Sequence, residues 1–152
     1  MIRYVVAAAL VVALLGIASS AVKHGTAVRS ETELEAAVAT VDSTATSLVE
    51  NDRPPVARER APRRLVTVEL PDDGFLQSSA EQLTFERVPG TNATRVTYRV
   101  AGRTEQTAVI DAPLRRAGDT SFTLSGRTGE VTLLLRLVSA EGGPVVSVTV
   151  DP

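Results

Sequence analysis

An uncharged run near the start of the chain constrains its fold more than any other feature. Tyr4 to Val22 spans nineteen residues without a charge, between Arg3 and Lys23. As an α-helix this run would extend about 28 Å, close to the thickness of the hydrocarbon core of a bilayer. We therefore predict a membrane anchor over residues 1–24, with membrane lipid as a partner. The expected location is the cell membrane, crossed once, with the C-terminal domain outside the cell.

A cleaved signal peptide is the alternative for the same residues. Arg3 would be its short basic region, Tyr4–Ile17 its apolar region, and residues 18–20 a small-residue cleavage context. The apolar run continues to Val22, and helix-forming sequence resumes almost at once, which favours a retained anchor. In both cases the rest of the chain is exported.

The next segment, residues 25–50, has the pattern of an amphipathic helical stalk. Ser30 and Glu33 have the spacing of a capping box, which predicts a helix start. Apolar residues then recur at spacings of four and three, which is typical of a narrow helical seam. This seam consists of Leu34, Val38, Val41, Ala45 and Leu48. It is expected to contact either a helix of another envelope or pilus-like subunit, through the 30–50 helix, or the chain's own sheet.

A linker follows at residues 51–64. Pro54, Pro55 and Pro62 prevent regular helix or sheet hydrogen bonding there, and the segment is rich in arginine. The remaining residues, 65–152, are therefore predicted to be a separate extracellular domain.

In this domain the hydrophobic pattern changes to a period of two, which indicates β-strands. Ala101-Gly102 is predicted to be a two-residue hairpin turn, and residues 130–138, which are apolar on both faces, a central strand covered on both sides. Further strands are expected around Val66–Leu70, Leu83–Glu86, Arg95–Val100, 103–110, Phe122–Leu124 and 145–150. The predicted fold class is thus an N-terminal transmembrane helix and an amphipathic helix followed by about seven antiparallel strands, in a sandwich or open barrel.

The residue types exclude several kinds of chemistry. The chain has no cysteine and one histidine, His24, so it lacks the side chains for thiol catalysis, a Ser-His pair in the β domain or a sulfur-ligated metal. We predict no catalytic, cofactor or metal site, and no enzyme. No stretch combines basic and aromatic residues as nucleic-acid binding requires. Asn92-Ala93-Thr94 is an N-glycosylation sequon, so Asn92 is a candidate modification site.

The layout of an apolar helix, an amphipathic helix and a β domain resembles that of type IV pilins and pseudopilins. More narrowly, the chain resembles an uncharacterised haloarchaeal family of small membrane-anchored proteins. That likeness rests on Met1-Ile2-Arg3 with the following Val/Ala/Leu run, the Arg-rich proline linker and Pro144-Val145-Val146. The apolar run lacks the glutamate that prepilins usually carry, so the resemblance implies an accessory subunit rather than a polymerising pilin.

Two functions are therefore predicted from the sequence. The first is a non-enzymatic, membrane-anchored accessory component of a pilus- or secretion-like cell-envelope machine. The second is a free-standing surface-anchored or secreted β-sandwich binding module.

Overall fold

In the computed structural model, one long helix precedes eight strands. The structure describes residues 2–54, 61–72, 78–116 and 119–150, without the side chains of residues 2–9 and 15–24. The elements are α1 (Ile2–Asn51), β1 (Arg63–Leu70), β2 (Ala80–Arg87), β3 (Thr94–Val100), β4 (Gln106–Ile110), β5 (Leu114–Arg115), β6 (Ser121–Thr123), β7 (Gly129–Ala140) and β8 (Gly143–Val150). Residues 55–60 of the predicted linker lie outside the described residues.

The strands form two four-stranded sheets. Sheet I has the order β1-β7-β8-β5, and sheet II has the order β4-β3-β2-β6. All pairings are antiparallel except the short one between β5 and β8. β7 is the longest of the described strands and lies between β1 and β8, as predicted. Only one of its faces is fully buried, however, so the prediction that both faces are covered is wrong. The mainly β domain is confirmed, and its described residues form eight strands where about seven were expected.

Alternation along the strands directs one set of side chains into a shared core. In β7, for example, Val131, Leu133, Leu135 and Leu137 are buried, and the residues between them are at least partly exposed. In sheet II the rings of Phe85 and Phe122 stack with centroids 4.7 Å apart. The predicted two-residue turn at Ala101-Gly102 is too short, because residues 101–105 separate β3 from β4 and the return strand begins at Gln106, not at residue 103. Gly102, with a φ of 76°, lies within this longer turn.

The helix completes this core. α1 contacts β1, an edge strand of sheet I, most extensively, and also β7 and β8 of the same sheet and β3 and β4 of sheet II. It thus packs against both sheets. The buried apolar residues of the helix between Ala27 and Leu48 belong to the same hydrophobic cluster as the strands. The second half of the helix and the sandwich therefore share one core.

The structure corrects the prediction of a transmembrane helix. In the part of the chain that the structure describes, no helix is long and apolar enough to cross a membrane. The N-terminal transmembrane helix of the predicted fold class, and the single-pass membrane location derived from it, are therefore wrong. From Gly25 to Asn51 the helix alternates buried apolar with exposed polar side chains, as expected of a helix packed on a sheet. The side chains of Tyr4 and Val22, which bound the predicted anchor, lie outside the described residues.

The predicted helix start at Ser30 is also wrong, because α1 runs through this position without interruption. Ser30 is fully buried and accepts a hydrogen bond from the Ser78 amide, 2.9 Å away, instead of capping a helix. Glu33 pairs with Arg29 one turn earlier in the helix. The capping-box residues thus make tertiary and surface contacts inside a longer helix.

Candidate interaction site

The seam of the helix lies inside the chain's own core. Leu34, Val38, Val41, Ala45 and Leu48 are all buried, with at most 5% of any of them exposed. Of the two partners that the sequence left open, the chain's own sheets cover this seam. Ala27 and Ala37 extend the same stripe, and sequence reasoning missed them. Their spacing from Leu34 is the helical signal that could have identified them.

Polar contacts fix the helix to both sheets. Arg103, in the turn after β3, donates from Nε and Nη2 to Glu31 Oε2 over 2.9 and 2.6 Å. We call the part of α1 that packs on the sheets, Ala27–Leu48, the packed half. Near its other end, Arg64 of β1 donates to Ser47 Oγ at 2.6 Å and to Asp52 Oδ2 at 3.0 Å. These arginines hold the helix at two points about 24 Å apart along its axis, at 1.5 Å per residue. The helix therefore has a defined direction relative to the sandwich.

Tyr98 lies near Glu31 and Glu35 of the helix, close to the contact with Arg103. Tyr98 of β3 is buried, and burial raises the pKa of its phenol above the usual value. The carboxylates of Glu35 and Glu31 raise this pKa further, because a phenolate beside them would be repelled. The phenol therefore keeps its proton to a higher pH than the phenol of an unperturbed tyrosine.

Beyond its packed half, α1 carries an apolar segment that the sandwich does not cover. Leu10, Val11, Val12 and Leu14 are between 54% and 69% exposed. Successive helical residues point about 100° apart, so these side chains surround the helix and do not form one stripe. Leu14 lies about 20 Å along the axis from Ala27, the first buried residue of the packed half. We call Leu10–Leu14 the apolar arm segment.

The predicted modification site, Asn92, lies among polar residues on the surface of the sandwich. Asn92 is exposed in the β2–β3 turn, beside a shallow open depression that Arg87 and Thr91 also line. Thr94, the third residue of the sequon, is fully buried. Its hydroxyl donates to the Ala112 carbonyl at 2.7 Å and accepts from the Leu114 amide at 2.8 Å.

The described residues contain no group of three or more His, Asp or Glu side chains that could hold a metal ion. The apolar arm segment carries four of the seven large apolar side chains that are exposed in the described part of the chain, and it continues the helix whose packed half lies on the sandwich, which makes it the candidate interaction surface. The predicted seam, Leu34 to Leu48, packs in the core and so attaches the helix to the sandwich.

Comparison with known proteins gives a family but no described function. A family model described as "Domain of unknown function (DUF7311)" matches residues 1–151. No curated protein and no solved structure matches the chain.

Proposed function

The chain belongs to the DUF7311 family, and we propose that it is a non-enzymatic accessory subunit of a pilus- or secretion-like cell-envelope assembly. In this proposal the apolar arm segment docks among helices of neighbouring subunits. The observation that carries it is the exposure of Leu10, Val11, Val12 and Leu14 on one described stretch of helix. The likeness in layout to type IV pilins and pseudopilins supports the same function.

The exposed side chains indicate what kind of partner would suit them. Contiguous exposed apolar surface marks interaction sites in folded proteins. Since Leu10–Leu14 is apolar on every side, a partner that surrounds the helix would cover more of it than a single groove could. Several apolar helices from other subunits would provide such surroundings. Burying this surface would stabilise the complex by about 25 cal/mol per Å² before the cost of association.

The polar contacts at Glu31 and Ser47 would let a docked arm segment also set the orientation of the sandwich. Because they fix the packed half of α1 to both sheets, an arm docked in an assembly would also fix the orientation of the sandwich. Such rigid presentation is what an accessory subunit needs in order to place its β domain at a defined position.

Introducing charged residues into the apolar arm segment tests this proposal. Full-length protein with Leu10→Asp and Leu14→Asp, one helical turn apart, should lose co-purification with its envelope partners from native cells by at least about tenfold, because burying charges without partners is costly. The matched control is Ala36→Asp with Thr40→Asp, an equally spaced pair on the exposed side of the packed half. This control should keep its partners. Equal recovery of partners by both variants would contradict the proposal.

The second candidate function is a free-standing β-sandwich binding module. The observation that favours it is the burial of the 34–48 seam by the chain's own sheets, which leaves the packed half complete without another subunit. The same experiment separates the two functions. A binding module would keep its ligand in the arm variant and would lose it only when the sandwich surface is changed.

A further inference from the structure

The two outer faces of the sandwich differ in how they arrange their charges. On sheet I, the core side chains of β1 and β7 alternate with an outward set, because neighbouring residues of a strand point to opposite faces. We call this outward set the sheet I face. It consists of Arg63, Leu65, Thr67 and Glu69 from β1 and Glu130, Thr132, Leu134 and Arg136 from β7.

Like charges lie directly opposite each other on this face. Arg63 is paired in register with Arg136, and Glu69 with Glu130. Such cross-strand pairs destabilise a sheet. In the described part of the chain, no ion pair uses any of these four residues. One end of the face is therefore basic and the other end acidic, about 20 Å apart at about 3.4 Å per residue.

On sheet II, by contrast, charged side chains of neighbouring strands form ion pairs of opposite sign. There Glu86 pairs with Arg95 across the strands at 3.8 Å, and Glu81 pairs with Arg99 at 3.0 Å. Both pairs lie on exposed positions of β2 and β3; on the sheet I face Arg63, Glu69 and Glu130 are likewise exposed, and Arg136 is partly exposed. Opposite charges are neighbours on sheet II, whereas on sheet I they are separated along the strands.

The middle of the sheet I face is uncharged. Leu65 lies opposite Leu134, and Leu65 is 67% exposed although it is a large apolar residue. Thr67 lies opposite Thr132, and their hydroxyls are 3.3 Å apart. The face thus runs from an arginine pair through a leucine pair and a threonine pair to a glutamate pair.

We propose that the sheet I face binds the same face of a second copy of this chain. A two-fold axis between the faces and perpendicular to the strands would reverse the strand direction of the second copy. Arg63 and Arg136 would then face Glu69 and Glu130 of the second copy, and the reverse pairs would form by symmetry. The leucine pair of each copy would meet the threonine pair of the other, so apolar surface would be covered at the centre.

The charge pattern favours a second copy over another partner. An acidic partner would suit only the arginine end of the face, and a basic partner only the glutamate end. A copy turned by the two-fold axis satisfies both ends with the same four residues. The face is about 20 Å by 10 Å, so two copies would bury only about 400 Å² in total, below the roughly 1,200 Å² at which standard specific interfaces begin, and the dimer should be weak, with a dissociation constant of about 100 μM.

Two oppositely charged variants of the full chain test this directly. Arg63→Glu with Arg136→Glu makes the face wholly acidic, and Glu69→Arg with Glu130→Arg makes it wholly basic. In sedimentation equilibrium, each should self-associate at least about 100-fold more weakly than the wild type, because like charges would meet. An equimolar mixture of the two should form a heterodimer. This recovery would also show that both variants are folded.

Two controls separate this surface from other causes of association. Exchanging the charges on sheet II, with Glu86→Arg and Arg95→Glu, should leave the dimer unchanged. The arm variant Leu10→Asp with Leu14→Asp should also dimerise like the wild type, so failure of the arm proposal would not affect this one. A wild type that stays monomeric at several hundred micromolar would overturn the inference. So would a mixture without heterodimer, or binding of an unrelated charged protein at this face in place of a second copy.

Discussion

Thr94 shows how one side chain can serve the fold at a position where the sequence also contains a modification signal. Its hydroxyl connects the start of β3 to the backbone on both sides of Pro113, through Ala112 and Leu114. Because Thr94 is fully buried, both backbone groups depend on this hydroxyl for a partner in the interior. The sequence identified the sequon, but it could not indicate which of its polar atoms the fold would use.

Replacing Thr94 by valine should lower the free energy of unfolding by about 2–4 kcal/mol, since a buried carbonyl and a buried amide would lose their partner. Thr94→Ser keeps the hydroxyl and should cost less. Thr97→Val, on the outward side of the same strand, should change stability by no more than about 0.5 kcal/mol. Urea denaturation measures all three variants. If Thr94→Val and Thr97→Val unfolded at the same urea concentration, this role of Thr94 would be excluded.

Tyr98 predicts a dependence of stability on alkaline pH. Burial, with Glu35 and Glu31 nearby, raises the pKa of its phenol in the folded protein. The folded state therefore holds this proton at pH values where the unfolded chain, with a tyrosine pKa of about 10, releases it. The resulting stabilisation is complete below about pH 10 and is lost as the pH rises through the folded-state pKa. Between about pH 9.5 and 11.5, Tyr98→Phe should lose less stability than the wild type in thermal melts, and parallel curves would refute this.

At the scale of elements, the sequence predicted which segments are helix or strand better than it predicted what each element packs against. Period-two alternation located β1, β2, β3 and β7, because each of these strands has one face in the core. β5 has two residues, too few for any period to show, and its parallel pairing with β8 was not foreseen. The seam from Leu34 to Leu48 was correctly placed on one stripe. A stripe defines a buried surface but does not identify what covers it, so its contact with the chain's own sheets required the structure.

The contact between α1 and the two sheets predicts how truncation changes thermal stability. A chain of residues 25–152 should keep the wild-type melting temperature, because it retains every helix residue known to belong to the core. A chain of residues 62–152 should lose its cooperative transition, since removing the helix uncovers apolar side chains of both sheets. Differential scanning calorimetry compares the two. A cooperative transition of the shorter chain near the wild-type temperature would mean that the helix is not part of the core.

At the scale of the whole molecule, one helix has two functions in this account. Its second half is part of a β-sandwich core, and its apolar arm segment extends beyond that core. The sequence identified the apolar character of the first half but led to the wrong conclusion of a membrane-crossing helix. It also could not show the sheet I face, because register between β1 and β7 arises only when distant strands pair.

Photo-crosslinking from the arm in intact native cells tests the central claim, that Leu10–Leu14 docks among helices of other subunits. A photoreactive phenylalanine analogue at Val12 should form specific crosslinks to envelope proteins, and mass spectrometry should map them to apolar helices. The same analogue at Val109, an exposed apolar residue on edge strand β4, serves as the control and should not give these products. Crosslinks from Val12 to helices of several partner chains are the predicted result. No protein crosslinks from Val12, or the same products from Val109, would contradict the account.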